Sequence, residues 1–245
     1  MWGRGIVSLR IVSWNCCGGF KNKAPRLAQL NPDIAVIPEV LREHATALGE
    51  TYHTVWDGNE GQKGLLLAAR EPWRIELAGR SAARHMVRAE LSLGDRRLTV
   101  VGVWAMPGDA GYNDTLVRGL DDLLPSITGE DIIVAGDFNA SPVFDKADRL
   151  GDVQNGFDQI HRRLRARGLE SAWHAFRSDG IGTESVSTYH HRRKRDERFH
   201  IDYIFLSQGL SSGVTAADIG KYEDWCVPDG GSDHTPLTVD VRLEL

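Results

Sequence analysis

Five places in this 245-residue sequence put a carboxylate, an amide or an imidazole at the edge of a short apolar run. The run Ile11–Trp14 ends at Asn15, and Asp33–Ile37 leads through Pro38 to Glu39. Ile132–Ala135 is followed by Gly136, Asp137, Phe138 and Asn139, while His200 and Asp202 flank Ile201 and Ser232-Asp233-His234 precedes Thr235 and Pro236. These residue types bind hard cations, orient water and move protons, and the rims of buried strands are where a rigid scaffold holds such groups.

Taken singly, most have a plainer reading. An Asn after a strand is commonly a turn residue, and Glu39 suits the N-terminus of a helix beginning near Leu41. Gly-Asp-Phe-Asn is turn-like, because Asp and Asn bond their own backbone, and Asp233-His234 fits a loop holding a satisfied histidine. Asp202 is different: a carboxylate between Ile201 and Tyr203 is costly to bury without a partner.

The elements that must position these groups follow from the pattern of apolar residues. Strands are predicted at Leu9–Trp14, Asp33–Ile37, Leu65–Ala69, Arg74–Leu77, Met86–Leu93, Leu98–Trp104, Ile132–Ala135, Ile201–Leu206, Val214–Ile219 and Leu237–Leu243. Pro38 can stand only at the end of its strand. One helix is predicted around Ala24–Leu30, with Pro25 in its first turn. A second runs from an Asn113 N-cap through Leu116, Leu120, Leu123 and Ile127, and a third carries Phe157, Ile160 and Leu164 and closes at Gly168. There is no regular strand–helix alternation, which favours stacked mixed sheets flanked by helices over a Rossmann or barrel fold. Without repeats, low-complexity tracts or proline-rich linkers, residues 1–245 read as one domain.

Composition narrows the class. With 41% hydrophobic and 26% charged residues the chain can build a full core. No apolar run approaches the ~20 residues of a membrane span, and Met1–Arg10 carries no leader pattern. The net charge of -5 excludes a uniformly basic nucleic-acid binder but not a local basic face. Cys16, Cys17 and Cys226 make neither a disulfide framework nor a zinc motif, so they read as reduced thiols of a cytoplasmic protein.

In order, Ile11-Val-Ser-Trp-Asn15, Asp33-Ile-Ala-Val-Ile-Pro-Glu39, Val134-Ala-Gly-Asp-Phe-Asn139, Ile201-Asp-Tyr-Ile-Phe205 and Ser232-Asp-His-Thr-Pro236 resemble the motifs of the endonuclease/exonuclease/phosphatase superfamily. That superfamily includes exonuclease III, apurinic endonucleases, pancreatic-type deoxyribonuclease and several phosphatases. The matching stretches span residues 11 to 236. The resemblance implies a four-layered α/β sandwich of two mixed β-sheets flanked by helices.

It also implies roles. Glu39 would bind Mg²⁺ (or Mn²⁺), with Asn15 contributing directly or through water and Asp233 completing the carboxylate set beside the metal or beside His234. Glu39 and Asp233 are hard oxygen donors, and no Cys/His cluster favours zinc. Asp137 would orient and deprotonate the attacking water, and Asn139 would help hold that water and the phosphate. His234 would donate to a phosphate oxygen, with Asp202 accepting from its other nitrogen. The expected activity is metal-dependent hydrolysis of phosphodiesters in nucleic acid, DNA favoured over RNA. Hydrolysis of another phosphate ester, as a phosphomonoesterase or a small-molecule phosphodiesterase, is the alternative. A degenerate binding protein is disfavoured, because a scaffold has no physical need for clustered carboxylates. No obligate protein partner is evident.

Two stretches depart from the family pattern. Trp104, Ala105 and Gly108 stand where deoxyribonuclease-like members carry a catalytic His and apurinic endonucleases a Tyr and an Asn, and Trp104 also reads as a core aromatic. Cys17 stands where nucleases often have an Asp, so the metal site leans on Glu39. The segment Tyr189–His200 is the most basic feature, with five Lys/Arg against two acids between His190 and Arg198. Arg192, Arg193 and Arg195 could steer a phosphate backbone, with Tyr189 and His200 stacking on bases; a solvated hairpin is the alternative. Trp225 is a further stacking candidate, or a packing residue.

Overall fold

The computed structural model describes residues 6–109, 111–145 and 156–244. The N-terminal half runs β1 (Ile6–Ser13), α1 (Phe20–Gln29), β2 (Ile34–Leu41), β3 (Tyr52–Asp57), β4 (Lys63–Arg70), β5 (Arg74–Arg80), β6 (Met86–Leu93) and β7 (Arg96–Trp104). There follow α2 (Tyr112–Leu123), β8 (Ile132–Asp137), α3 (Phe157–Ala166), β9 (Leu169–Ser171), α4 (Ala172–Arg177), β10 (Tyr189–His190) and β11 (Arg198–Phe199). The chain closes with β12 (Asp202–Ser207), α5 (Gln208–Ser211), β13 (Val214–Ile219), α6 (Tyr222–Trp225) and β14 (Leu237–Glu244).

Two six-stranded mixed sheets result, ordered β13-β14-β1-β2-β4-β3 and β5-β6-β7-β8-β12-β9, and β10-β11 forms a separate hairpin. The β1–β2 and β7–β8 pairs are parallel. The central strands are apolar on both faces because both faces are covered. Ile11, Val36 and Leu67 of one sheet meet Val100, Ala135 and Ile204 of the other in the innermost core. On the outside, Phe20, Ala24 and Leu27 of α1 pack on Val12, Ala35 and Ile37, while Leu116, Leu120, Ile160 and Leu164 of α2 and α3 cover Val101, Val134 and Phe205. The four layers are those expected.

Local differences have local causes. The first helix starts at Phe20, so Pro25 lies in its interior, on the exposed face. Asn113 is not an N-cap, since α2 begins at Tyr112 after Gly111, and Ile127 falls in extended backbone beyond a 3-10 turn that contains Pro125. Strand β2 continues past Pro38 to Leu41 because a bulge between Ile37 and Val40 absorbs the proline. Among the described residues no helix is long and apolar enough to cross a membrane. Of the segment read for a leader, residues 1–5 lie outside the described residues and the remainder belongs to β1.

Candidate active site

The site is built on strand register. In the antiparallel β8–β12 pair Asp137 faces Asp202, and in the parallel β7–β8 pair Asp137 faces Trp104. The approach to β7 is so close that a Cβ on Gly136, whose φ is 143°, would lie 1.8 Å from the Val103 carbonyl oxygen. Only glycine fits there, and it delivers the carboxylate that follows.

Asp137 and Asp202 are 1% and 0% exposed. His234 lies between them: Nδ1 donates to Asp202 Oδ2 at 2.8 Å, and Nε2 is 3.9 Å from Asp137 Oδ2. The loop carrying His234 hangs on the end of β1, because Ser232 Oγ accepts from the His234 amide (3.0 Å) and donates to the Asn15 carbonyl (2.7 Å), and Trp14 Nε1 donates to the His234 carbonyl (2.9 Å). Thr188 Oγ1 accepts from the amides of Ile201 and Asp202 at 3.1 and 3.0 Å, fixing the start of β12.

Burial alone would depress the imidazole of His234, but the charges of Asp202 and Asp137 and the Nδ1 bond outweigh it and hold the ring well above its ordinary range. Burial pushes the Asp137 carboxyl up; His234 pulls it back, Asp202 pushes again, and donors from Asn15 and Asn139 offset part of the rise. Its proton affinity is therefore well above that of an ordinary aspartate, as a base working near neutrality requires.

Asn139 has a positive φ of 48° and donates its backbone N–H to Asp137 Oδ1 (2.9 Å) and its side-chain Nδ2 to Asp137 Oδ2 (3.0 Å) and the Ala105 carbonyl (3.0 Å). The Gly-Asp-Phe-Asn run is thus a turn and a carboxylate clamp at once. Asn15 Nδ2 bridges Glu39 Oε1 (3.0 Å) and Asp137 Oδ2 (2.9 Å), while its Oδ1 accepts from the Cys17 amide (2.9 Å). Asn15 therefore turns a donor, not an oxygen, towards the carboxylates, because two acceptors and one backbone donor dictate the amide's orientation.

Glu39 stands on the β2 bulge with φ 66°, its side chain 20% exposed, and Oε2 accepts from Lys63 Nζ at 2.6 Å. Backbone held in this region, also at Cys17 with φ 53°, costs of the order of 1–3 kcal/mol per residue and is overdetermined by the surrounding bonds. Asp233 is half-buried. The Cys17 thiol is pushed up by burial first and then by Asp233 and Glu39, so both carboxylates act on the space around Cys17. Two reachable carboxylates without a low-pKa thiolate fit a hard divalent cation such as Mg²⁺ or Mn²⁺. Ligand atoms of Asp137, Asp202 and His234 also lie within 4.8 Å of one another, with the His234 ring bonded to Asp202.

Of the expected substrate-contacting residues, Tyr189 reaches the site: its ring lies 4.7 Å from that of His234, and its hydroxyl is 2.8 Å from His191 Nδ1. Two expectations are corrected. His200 is 3% exposed and packed among Trp173, His174 and Tyr203, so it cannot stack on a base. Trp225 is 7% exposed, edge-on to Trp14, and belongs to the core under α1. The basic tract divides. Arg193, itself exposed, braces the neighbouring loop by donating to the carbonyls of Cys226, Val227 and Pro228. Arg195 pairs with Glu223 over the Tyr222 ring, whereas Arg192 is exposed.

Sequence reasoning missed Lys63, Thr188 and Trp14, and no local signal marked Lys63, a lysine opening an apolar strand. Two hollows flank the turn bridged at Gly108 and Gly111. One, of about 440 Å³, is lined by Tyr112, Asn139, Phe144, Tyr189 and Ile201. The other, of about 910 Å³, is lined by Lys63, Arg84, His85, Trp104, Met106 and Arg118. Trp104 is 7% exposed and stacked on His85, a core aromatic that also floors this hollow.

The model of the endonuclease/exonuclease/phosphatase family matches residues 12–234. Among solved structures the fold is similar to a 3′ phosphatase, NExo, from Neisseria, bound to product DNA hairpin, with 18% identity over 95% of this chain and 99% of that one and a TM-score of 0.69. It is also similar to an AP endonuclease from Archaeoglobus fulgidus (16% identity, 94% and 98% of the two chains, TM-score 0.69). A truncated TDP2 from Caenorhabditis elegans is alike at 14% identity, 96% and 98% coverage and a TM-score of 0.67. No curated protein matches the sequence. With its motif-bearing strand ends gathered at one edge of two stacked sheets, the chain belongs to the endonuclease/exonuclease/phosphatase family, hydrolases of phosphate esters.

Proposed function

We propose that the protein is a Mg²⁺- or Mn²⁺-dependent phosphodiesterase that cleaves phosphodiester bonds of nucleic acid, DNA in preference to RNA. The observation that carries the reading is the Asp137–His234–Asp202 constellation, in which a buried base with raised proton affinity faces an imidazolium held by a second carboxylate. Asp137 takes the proton of the attacking water while Asn15 and Asn139 fix its two oxygens. His234 Nε2 donates to a phosphate oxygen as charge develops there, and Asp202 keeps the ring charged and oriented.

General-base catalysis supplies about 10²- to 10⁴-fold, against barrier reductions of about 8 to 23 kcal/mol that enzymes achieve. A divalent ion held by Glu39 and Asp233 would supply further charge neutralisation at the phosphate. For the substrate class, the aromatic hollow beside Asn139 suits a base or sugar next to the phosphate, and Arg192 offers an exposed cation three residues after Tyr189, which lines that hollow. Two of the structural neighbours are a phosphatase bound to a DNA hairpin and an AP endonuclease.

The test is a Mg²⁺/Mn²⁺ assay across single-stranded DNA, duplex DNA, abasic-site duplex, RNA, bis-p-nitrophenyl phosphate and mono-p-nitrophenyl phosphate. Cleavage of DNA and of the diester is expected. Turnover of the monoester alone overturns the nuclease reading.

A further inference from the structure

Lys63 opens β4 opposite Leu41, and the β2 bulge brings Glu39 to it, so that Nζ lies 2.6 Å from Glu39 Oε2. Its side chain crosses Gly18, a buried glycine with φ 72°, where a Cβ would sit 3.0 Å from Lys63 Cε and 3.3 Å from Nζ. The left-handed φ is what favours glycine at 18, and the flexible end of Lys63 lies against it.

Each Glu39 oxygen accepts one hydrogen bond, Oε1 from Asn15 and Oε2 from Lys63. A divalent ion at this carboxylate would come close to the Lys63 ammonium, and the two cations repel. Asn15 is 1% exposed and also tied to Asp137 and to the Cys17 amide, whereas Lys63 is 45% exposed on a flexible stem. Lys63 is the partner that can yield, and the space beside it is the 910 Å³ hollow that it lines.

We propose that Lys63 is a positioning residue: the resident cation that holds Glu39 in the metal-free protein, leaves Oε2 when a divalent ion binds, and then offers its ammonium to the substrate's phosphate at the mouth of that hollow. The proposal rests on the reading that Glu39 holds the metal. Lys63 thereby exchanges one anion for another, and metal binding and phosphate binding are linked through it.

The experiment is Mn²⁺ titration by calorimetry on wild type, Lys63→Met, Lys63→Arg and Glu39→Gln, with folding checked by circular dichroism. Removing the competitor in Lys63→Met tightens Mn²⁺ binding by up to about fivefold, while Lys63→Arg, which keeps the charge, stays near wild type. At saturating Mn²⁺, Lys63→Met raises KM for a DNA oligonucleotide more than it lowers kcat. Unchanged or weaker Mn²⁺ binding by folded Lys63→Met overturns the proposal, provided Glu39→Gln abolishes binding. If Glu39→Gln binds Mn²⁺ like wild type, the metal assignment fails and the Lys63 role with it. Should Lys63→Met not fold, the ¹³C-dimethyl-lysine signal of Lys63, assigned by its absence in Lys63→Arg, decides: a shift on adding Mg²⁺ supports displacement, and an unmoved signal overturns it.

Discussion

Replacing Asp202 by Asn keeps the shape of the side chain and removes one buried charge. Asp202 Oδ2 lies 2.8 Å from His234 Nδ1, and its other oxygen, Oδ1, has no hydrogen-bond partner among the described residues, so the imidazolium is the main compensation for this carboxylate. Unit charges at that separation attract by about 6 kcal/mol at an effective dielectric of about 20, before desolvation is subtracted. Without Asp202 the ring loses its nearest charge and its Nδ1 bond, and burial, now opposed only by Asp137 and Asp233, brings its proton affinity down. The weakened donor should lower kcat for bis-p-nitrophenyl phosphate by about 10²- to 10³-fold, with KM changed less. The alkaline limb of the kcat profile, set in wild type by the raised His234, moves towards lower pH. Stability follows the same linkage. A histidine whose folded pKa is raised contributes stability that is complete below its ordinary pKa and lost as pH rises through the folded value. Asp202→Asn reduces that alkaline loss, read from urea midpoints at neutral and alkaline pH. A folded variant with unchanged kcat and an unmoved alkaline limb refutes the role given to Asp202.

Gly136→Ala, whose Cβ would fall 1.8 Å from the Val103 carbonyl oxygen, should cost about 3 kcal/mol or more and lower Tm by about 10 °C; an unchanged melting curve contradicts the close approach of β7 and β8. Burial, with His174 adding to it, holds the His200 imidazole down at about 4. Protonation thus favours the unfolded chain, and stability falls as pH drops from the ordinary histidine range towards that value, by up to about 3 kcal/mol. His200→Leu should flatten this acid slope in urea titrations. Arg192→Ala should weaken DNA binding and lower its salt slope by about 0.7 to 0.9, whereas Arg193→Ala, by cutting the brace to residues 226–228, should lower Tm. The reverse pattern would reassign the two arginines.

What short segments can encode was readable. Asp137, Asn139, Asp202 and His234 each sit at an end of a strand or in the turn beside one, so apolar runs and turn chemistry located them before any contact was known. Stacked mixed sheets followed from strands without regular helix alternation, and the four layers from the family resemblance. What failed was non-local. Histidine and tryptophan have the same chemistry whether they stack on a base or fill a core, and only tertiary packing places His200 beside His174 and Trp225 against Trp14. Arg193 carries a charge suited to phosphate, yet the positive φ it adopts turns it to three carbonyls. Asn15 was found, but its donor-side orientation depends on Glu39 and Asp137, which are 24 and 122 residues away. Lys63 meets Glu39 only through the β2–β4 register and a bulge at Pro38, neither of which a lysine before an apolar run reveals.

The most direct test of the account is the initial rate of Mg²⁺-stimulated hydrolysis of bis-p-nitrophenyl phosphate by wild type and by Asp137→Asn. The substitution leaves the turn's shape and removes the base, so the rate is expected to fall by about 10²- to 10⁴-fold in a protein whose circular dichroism and Tm show it folded. A folded Asp137→Asn protein that keeps the wild-type rate contradicts it.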